Sequence, residues 1–293
     1  MKILVTGSNG FLGKSFVSAY KDKCELLTLS RKNADINIDL VKEDFEENIK
    51  VDVVIHSAGK AHVVPKNEAD IKEFYDVNVE GTKKILNILK GVKTFVFISS
   101  VAVYGVENGN MINETCPLIG SSPYADSKIL AEKLVINWSK KNNVSLLILR
   151  LPLLAGLKPP GNLGSMIDAI KKNRYVSINK GKARRSIVLV DDIIDWLPKH
   201  FDKSGIFNLT DNDNPSFCDL EKIISEQLGV KTPISIPLSL AKIIGKVGDV
   251  LNLSFINSSR ITKMTNDLTF CSQKATKELS WSPKKVKTHF KIS

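Results

Sequence analysis

Tyr124 and Lys128 stand four residues apart in the stretch PYADSK. Ser121 and Ser122 precede its proline, and Ser-Ser-Pro reads as a cap followed by a first-turn residue, so a helix is predicted to begin at Pro123. At about 3.6 residues per turn, positions four apart share one face. A phenol and an ammonium on one face can act on the same bound molecule. A free phenol titrates at about pH 10, and a cation a few ångströms away favours phenolate and moves the group toward working pH. That is proton-transfer chemistry. A surface tyrosine beside a surface lysine has the same spacing, so the surrounding elements must decide between the two.

The element that would bind a partner for this pair is VTGSNGFLG, in which Gly7, Gly10 and Gly13 follow an apolar run and open a helical segment. Glycines there let the chain turn tightly, approach a pyrophosphate closely and pack helix on strand, while the helix N-terminus presents N–H groups and a positive dipole. The dinucleotide fingerprint expects an acid roughly 20 positions on, to hold the ribose hydroxyls of NAD. This chain has LTLSRKN instead. Ser30, Arg31 and Lys32 offer no carboxylate and two cations, which suits the additional phosphate of NADP. A solvated basic loop is the alternative reading. NADP(H) is therefore favoured, with NAD(H) possible.

The wider chain supplies a frame for these parts. Apolar runs at Lys2 to Thr6, Val51 to His56, Thr94 to Ser99 and Ser145 to Leu151 alternate with segments of helical periodicity. Unbroken apolar strands are buried on both faces, as in a parallel sheet between helices. The fold class is thus α/β, a doubly wound parallel sheet of the Rossmann kind. After Pro152 the rhythm breaks: LKPPGNLG reads as loop, Met166 to Asn173 as a short helix, RRSIVLV as strand, and Ser216 to Leu228 as a capped helix. Lys231 to Ile261, with Pro233, Pro237, Gly245 and Gly248 among apolar residues, reads as looser. The division expected is a dinucleotide domain over 1–152 and about 183–208, interleaved with a smaller substrate lobe over about 153–182 and 209–293.

Composition narrows the function classes. The net charge of +11 comes from scattered lysines, such as Lys83-Lys84 and Lys140-Lys141, without interleaved aromatics. A lysine-rich solvated surface accounts for it best, attraction of a small anion next, and nucleic acid least. Arg150 interrupts the longest apolar run, Val144 to Gly156, so no membrane insertion is expected. The start MKILVTGSNG lacks the regions of a secretory signal, and Cys24, Cys116, Cys218 and Cys271 are far apart, which predicts reduced thiols in a cytoplasm and no metal site.

In order along the chain, GFLG, Asp39-Leu40, HSAG (His56 to Gly59), NVEGT (Asn78 to Thr82), SSVAVYG (Ser99 to Gly105), the Tyr124/Lys128 pair and RRSIVLVDD (Arg184 to Asp192) are the motifs of one family. Over nearly its whole length the chain resembles the extended short-chain dehydrogenase/reductases, in the NAD(P)-dependent epimerase/dehydratase group acting on nucleotide sugars. The resemblance implies that Tyr124 is the general acid/base and that Lys128 binds the nicotinamide ribose and lowers the tyrosine's pKa. Ser100, four residues before Tyr104, would hold the substrate's reacting oxygen; strand alternation sends Ser99 to the other side. The cofactor would lie against Gly7, Asn9, Gly10, Phe11, Leu12, Gly13, Arg31, Asp39, Leu40, Ser57, Ala58, Gly59, Ser99 and Pro152. His56 would line the same pocket rather than move protons. Asn78, on the stripe Ile71, Phe74, Asn78, Ile85, Leu89, should be buried and steady the active-site backbone.

By the same resemblance Arg185 and Asn162 would contact the substrate. Arg260 would replace the arginine of an RxGD segment that UDP-galactose 4-epimerases carry and this chain lacks. IHSAGKAHVV, GIFNLTDNDNPSFCDLEKIISEQLG and DLTFCSQKATKELSWSP look most like the branch with UDP-N-acetylquinovosamine-type 4-reductases, alongside UDP-glucose 4-epimerase-like proteins. The implied activity is hydride transfer at carbon 4 of a UDP-hexose, as a 4-reductase making surface polysaccharide precursors or as a 4-epimerase. A non-catalytic dinucleotide-binding regulator is the alternative from another class, and the intact Tyr/Lys pair argues against it. A homodimer is expected, since Val79 and Leu86 would make a helix apolar opposite its core stripe.

Overall fold

The computed structural model describes residues 1–43, 47–61, 63–251 and 257–292. His62, within IHSAGKAHVV, and part of the Lys231 to Ile261 stretch therefore lie outside the described residues.

Among the described residues the main sheet has seven strands: β1 (Lys2–Thr6), β2 (Glu25–Ser30), β3 (Ile36–Asn37), β4 (Val53–His56), β5 (Thr94–Ser100), β6 (Ser145–Leu151) and β7 (Gly205–Asn208). Their order across the sheet is β7-β6-β5-β4-β1-β2-β3, all neighbours parallel. The chain starts in the middle, winds outward through β2 and β3, then reverses past β1 to β4. That reversal opens a crevice at the C-terminal ends of β1 and β4, where open α/β sheets bind ligands.

The four expected apolar runs all form strands of this sheet, because each is buried on both sides. Within β1, Ile3 and Val5 enter one core cluster and Leu4 the other. The first cluster packs against α1 (Phe11–Tyr20), and the second against α3 (Gly81–Ile88) and α4 (Pro123–Asn142). At the far edge β7 has only four residues, and Lys274 Nζ donates to the Ile206 carbonyl at 3.0 Å.

A third cluster lies beyond the sheet between α5 (Gly161–Lys171) and α7 (Phe217–Leu228), while α6 (Val190–Trp196) packs into the first cluster beside α1. Leu163, Met166 and Ile170 of α5 pack there on Leu220 and Ile224 of α7. The capped helix expected from Ser216 is present, with a capping box in which Ser216 and Asp219 satisfy each other's backbone N–H.

The structure departs from the sequence reading in three places. The segment taken as loop up to Gly164 is already the first turn of α5, since a Cβ at Gly164 would lie 2.2 Å from the Pro159 carbonyl and glycine lets the helix start there. The looser stretch contains a helix, α8 (Leu238–Val250), against α9 (Ser258–Thr265). A Cβ at Gly245 would meet Ile261 at 2.8 Å, so this glycine is the contact rather than a break. Finally, Leu86, invoked with Val79 for dimerisation, is buried in the second cluster and belongs to the core, whereas Ile71, read as part of the core stripe, is exposed.

Candidate functional site

The glycine loop turns directly from β1 into α1. Gly7 has φ +66, and a Cβ there would lie 2.6 Å from the Ala58 nitrogen. At Gly13 it would meet the Gly7 oxygen at 2.3 Å and Ser57 Oγ at 2.9 Å. Only glycine permits this approach of loop, helix and the segment after β4. Helix α1 starts at Gly10 without a side-chain cap and with no acid in its first turn, and the buried Ser8 hydroxyl is without a hydrogen-bond partner. Uncapped N–H groups, the helix dipole and an unsatisfied hydroxyl fit an anionic phosphate ligand. Phe11 and Leu12 begin the helix and pack into the first cluster.

At the end of β2, Arg31 and Lys32 are exposed, and Asn9 of the glycine loop donates to the Lys32 carbonyl. Asp35, the first carboxylate after the strand, accepts from Thr28 N at 2.8 Å and Thr28 Oγ1 at 2.7 Å. Those bonds hold its pKa below the usual carboxylate value and turn it onto the strand. Asp39 accepts from Val41 N at 3.0 Å, and Leu40 packs near Gly81. Pro152 is half-buried between β6 and the short strand Leu153–Ala155.

Helix α4 begins as its sequence predicts: Ser122 caps it through Ala125 N, with Pro123 in the first turn. Lys128 points to the end of β5, where Nζ donates to the Ile98 carbonyl at 2.9 Å and lies 4.7 Å from the Phe97 ring centroid. The Ser100 hydroxyl lies close enough to the Tyr124 phenol to favour its ionised form. Ser100 also caps the short 3-10 turn Val101–Tyr104 by accepting from Ala102 N. The sequence brings these three side chains to one strand end.

Their electrostatics differ from expectation. Burial pushes the Tyr124 phenol up, and the Ser100 hydroxyl pulls it part of the way back. Lys128 is lowered to about 8 by burial, against the pull of Glu132. Desolvation therefore sets the direction at both groups.

Asn78 ties the site together, as anticipated for a buried amide. It lies in a π-helical turn, Asp76–Glu80, that joins α2 (Glu68–Tyr75) to α3. Its Oδ1 accepts from Lys60 N at 2.7 Å, and its Nδ2 donates to the Lys60 carbonyl at 3.1 Å and to Ser127 Oγ at 2.9 Å. A Cβ on Gly59 would lie 3.0 Å from Asn78 Oδ1 and 3.4 Å from Lys128 Nζ. The segment after β4, the π turn and α4 thus meet at one point.

Two residues assigned to the pocket face elsewhere. His56 is enclosed, its Nδ1 2.7 Å from Thr6 Oγ1 and its Nε2 2.9 Å from Thr82 Oγ1, and burial lowers its pKa to about 3. Ser99 is buried on the opposite side of β5 from Ser100 and donates to Glu132 Oε1 at 2.5 Å. Of the substrate-side residues, Asn162 is exposed in the first turn of α5, and Arg260 is exposed on α9. Arg185 is buried over the Phe217 ring and donates to the carbonyls of Arg184, Lys263 and Asn266. Those bonds attach the α9 region to the body, so in this structure Arg185 is first a structural tie.

The model of the NAD dependent epimerase/dehydratase family matches residues 3–209. The chain belongs to that family. It is therefore an NAD-dependent enzyme of the nucleotide-sugar 4-epimerase/dehydratase type. UDP-glucose 4-epimerase of Vibrio cholerae is 27% identical over 309 residues, covering 96% of this chain and 90% of that protein. N-acetyl-α-D-glucosaminyl-diphospho-ditrans,octacis-undecaprenol 4-epimerase of Escherichia coli O157:H7 is 24% identical, covering 85% and 80% respectively. Among solved structures, UDP-glucuronic acid 4-epimerase from Bacillus cereus, in complex with UDP-glucuronic acid and NAD, superposes with a TM-score of 0.75 at 18% identity, covering 98% of this chain and 96% of that one.

Behind the candidate site of this epimerase/dehydratase chain lies a buried network that the sequence reading missed. Arg150 of β6 and Glu132 of α4 form a two-pronged pair, Nε to Oε1 at 3.1 Å and Nη2 to Oε2 at 2.7 Å, with both side chains almost fully buried. Arg150 Nη1 also donates to Tyr104 Oη at 3.1 Å, and Tyr104 donates to Asn208 Oδ1 at 2.8 Å. A signal was available: an arginine inside SLLILRL needs a buried partner, and Glu132 is four residues beyond Lys128 on the same helix face.

Proposed function

We propose that the chain is an NADP(H)-linked reductase acting at carbon 4 of a UDP-4-keto-6-deoxy-N-acetylhexosamine. The observation that carries this reading is the end of β2. Arg31 and Lys32 are exposed beside the glycine loop, while Asp35, the nearest carboxylate along the chain, is engaged by Thr28. A ribose phosphate finds cations there and no repelling acid.

When bound, the reduced nicotinamide supplies hydride to carbon 4. The chain's own residues do the rest. The glycine loop and the α1 N-terminus hold the diphosphate, Lys128 binds the nicotinamide ribose, and Ser100 donates a hydrogen bond to the carbon-4 oxygen. Tyr124, kept as a neutral phenol by its burial, gives that oxygen a proton as the carbonyl becomes an alcohol. Asn162, Arg185 and Arg260 are the substrate-side contacts, Arg185 once its carbonyl bonds rearrange.

A second reading, a UDP-sugar 4-epimerase that keeps its cofactor, is favoured by what its relatives are called. The deciding experiment offers the pure protein UDP-4-keto-6-deoxy-N-acetylglucosamine with NADPH and, separately, UDP-glucose or its N-acetyl analogue with no added cofactor. Stoichiometric NADPH oxidation supports the reductase. Cofactor-free interconversion of carbon-4 isomers, with dinucleotide retained through purification, replaces it with the epimerase.

A further inference from the structure

Helix α8 is apolar on the side that faces away from the protein. Its inner seam consists of the buried small residues Ala241, Gly245 and Gly248. At Gly245 an added Cβ would lie 2.8 Å from Ile261 and 3.2 Å from Ser258 N, so α8 is set directly onto α9. At about 100° per residue, Val250, Ile243, Val247 and Leu240 fall on the side away from that seam, and Leu251 and Ile244 continue the apolar arc back toward it. All six are exposed, Ile243 at 61% and Val250 at 80%. Lys242 and Lys246 flank this arc on one side. Asp249 shares their flank, but its carboxylate accepts from Ser258 N at 3.1 Å and so is directed at α9.

We propose that this outer face of α8 docks on an anionic lipid bilayer surface, lying in its plane. An apolar arc bordered by lysines is the pattern of an interfacial helix, whose side chains enter the acyl boundary while ammonium groups reach the headgroups. Charge separates this occupant from a second copy of the chain. A two-fold contact would set lysine flank against lysine flank and one chain of net charge +11 against another, whereas an anionic surface attracts both. The docking is peripheral: among the described residues no helix is long and apolar enough to cross a membrane.

The test is co-sedimentation of the full chain with vesicles of phosphatidylcholine alone and of phosphatidylcholine mixed with phosphatidylglycerol, with sedimentation velocity run in parallel. Binding to the mixed vesicles that weakens with salt is the expected result. Neutralisation of each flanking lysine, Lys242→Gln or Lys246→Gln, should weaken it about fivefold. Ile243→Asp with Val247→Asp should abolish it while leaving dinucleotide binding, the check on folding, intact. No binding to the mixed vesicles overturns the proposal, as does equal binding by the wild type and the double aspartate variant. A dimer that the aspartates dissociate, with no lipid binding, also overturns it and assigns the face to a second copy.

Discussion

At the scale of single residues, the candidate site separates proton transfer from binding. Tyr124→Phe removes only a hydroxyl from a ring packed near Phe74, so dinucleotide affinity should hold while turnover falls by about 10²–10⁴. Titration of the cofactor beside a steady-state assay measures both, and surviving turnover would remove Tyr124 from the acid/base role. His56 makes a prediction about stability instead. Its pKa in the fold is about 3, below its ordinary value of 6.5, so the unfolded chain binds a proton that the folded one refuses. The stabilising difference is present above 6.5 and is lost as pH falls toward 3. Between pH 6.5 and 5 the loss should amount to about 2 kcal/mol, and His56→Gln should flatten that slope in denaturant unfolding. Tyr124, Lys128 and Asn78 were legible because spacing and an apolar stripe place them. The sequence was silent on the two hydroxyls that enclose His56 and on the burial that holds Tyr124 protonated, since both depend on strands brought together from distant positions.

At the scale of elements, local rules were enough wherever local chemistry sets the boundary. Ser122 before Pro123 and the Ser216/Asp219 box both start helices where the sequence says, and Ser122→Ala should cost about 1 kcal/mol by leaving the Ala125 N–H without its acceptor. The rules failed where glycine serves packing rather than turning. Gly245 reads as a breaker along the sequence, but in space it is the contact of α8 with α9. Gly245→Leu should therefore pry the two helices apart, lowering the unfolding midpoint and loosening the carbonyls of Lys263 and Asn266 that hold Arg185. Amide exchange across 258–266 would register that loosening; unchanged protection would refute it.

At the scale of the whole molecule, the doubly wound order brings cofactor preference and phosphate binding to one crevice, and Asn9 joins them by its bond to the Lys32 carbonyl. Arg31→Asp should weaken NADPH about tenfold or more and leave NADH little changed, a contrast that fluorescence titration of the two nucleotides reads directly. Tight NADH binding by the unaltered protein with negligible NADPH affinity would sink the NADP(H) reading. The same winding bears on how the chain is made. Strand β7 joins the sheet only after the intervening segments have been built, and until then β6 presents an unpaired apolar border, SLLILRL, to its surroundings. At about 5–20 residues per second, the nascent polypeptide would carry that border for several seconds after Leu151 emerges. Fragments cut before Gly205 would carry it permanently, and should aggregate by edge-to-edge pairing that the finished protein, with its short last strand and Lys274 laid along it, prevents.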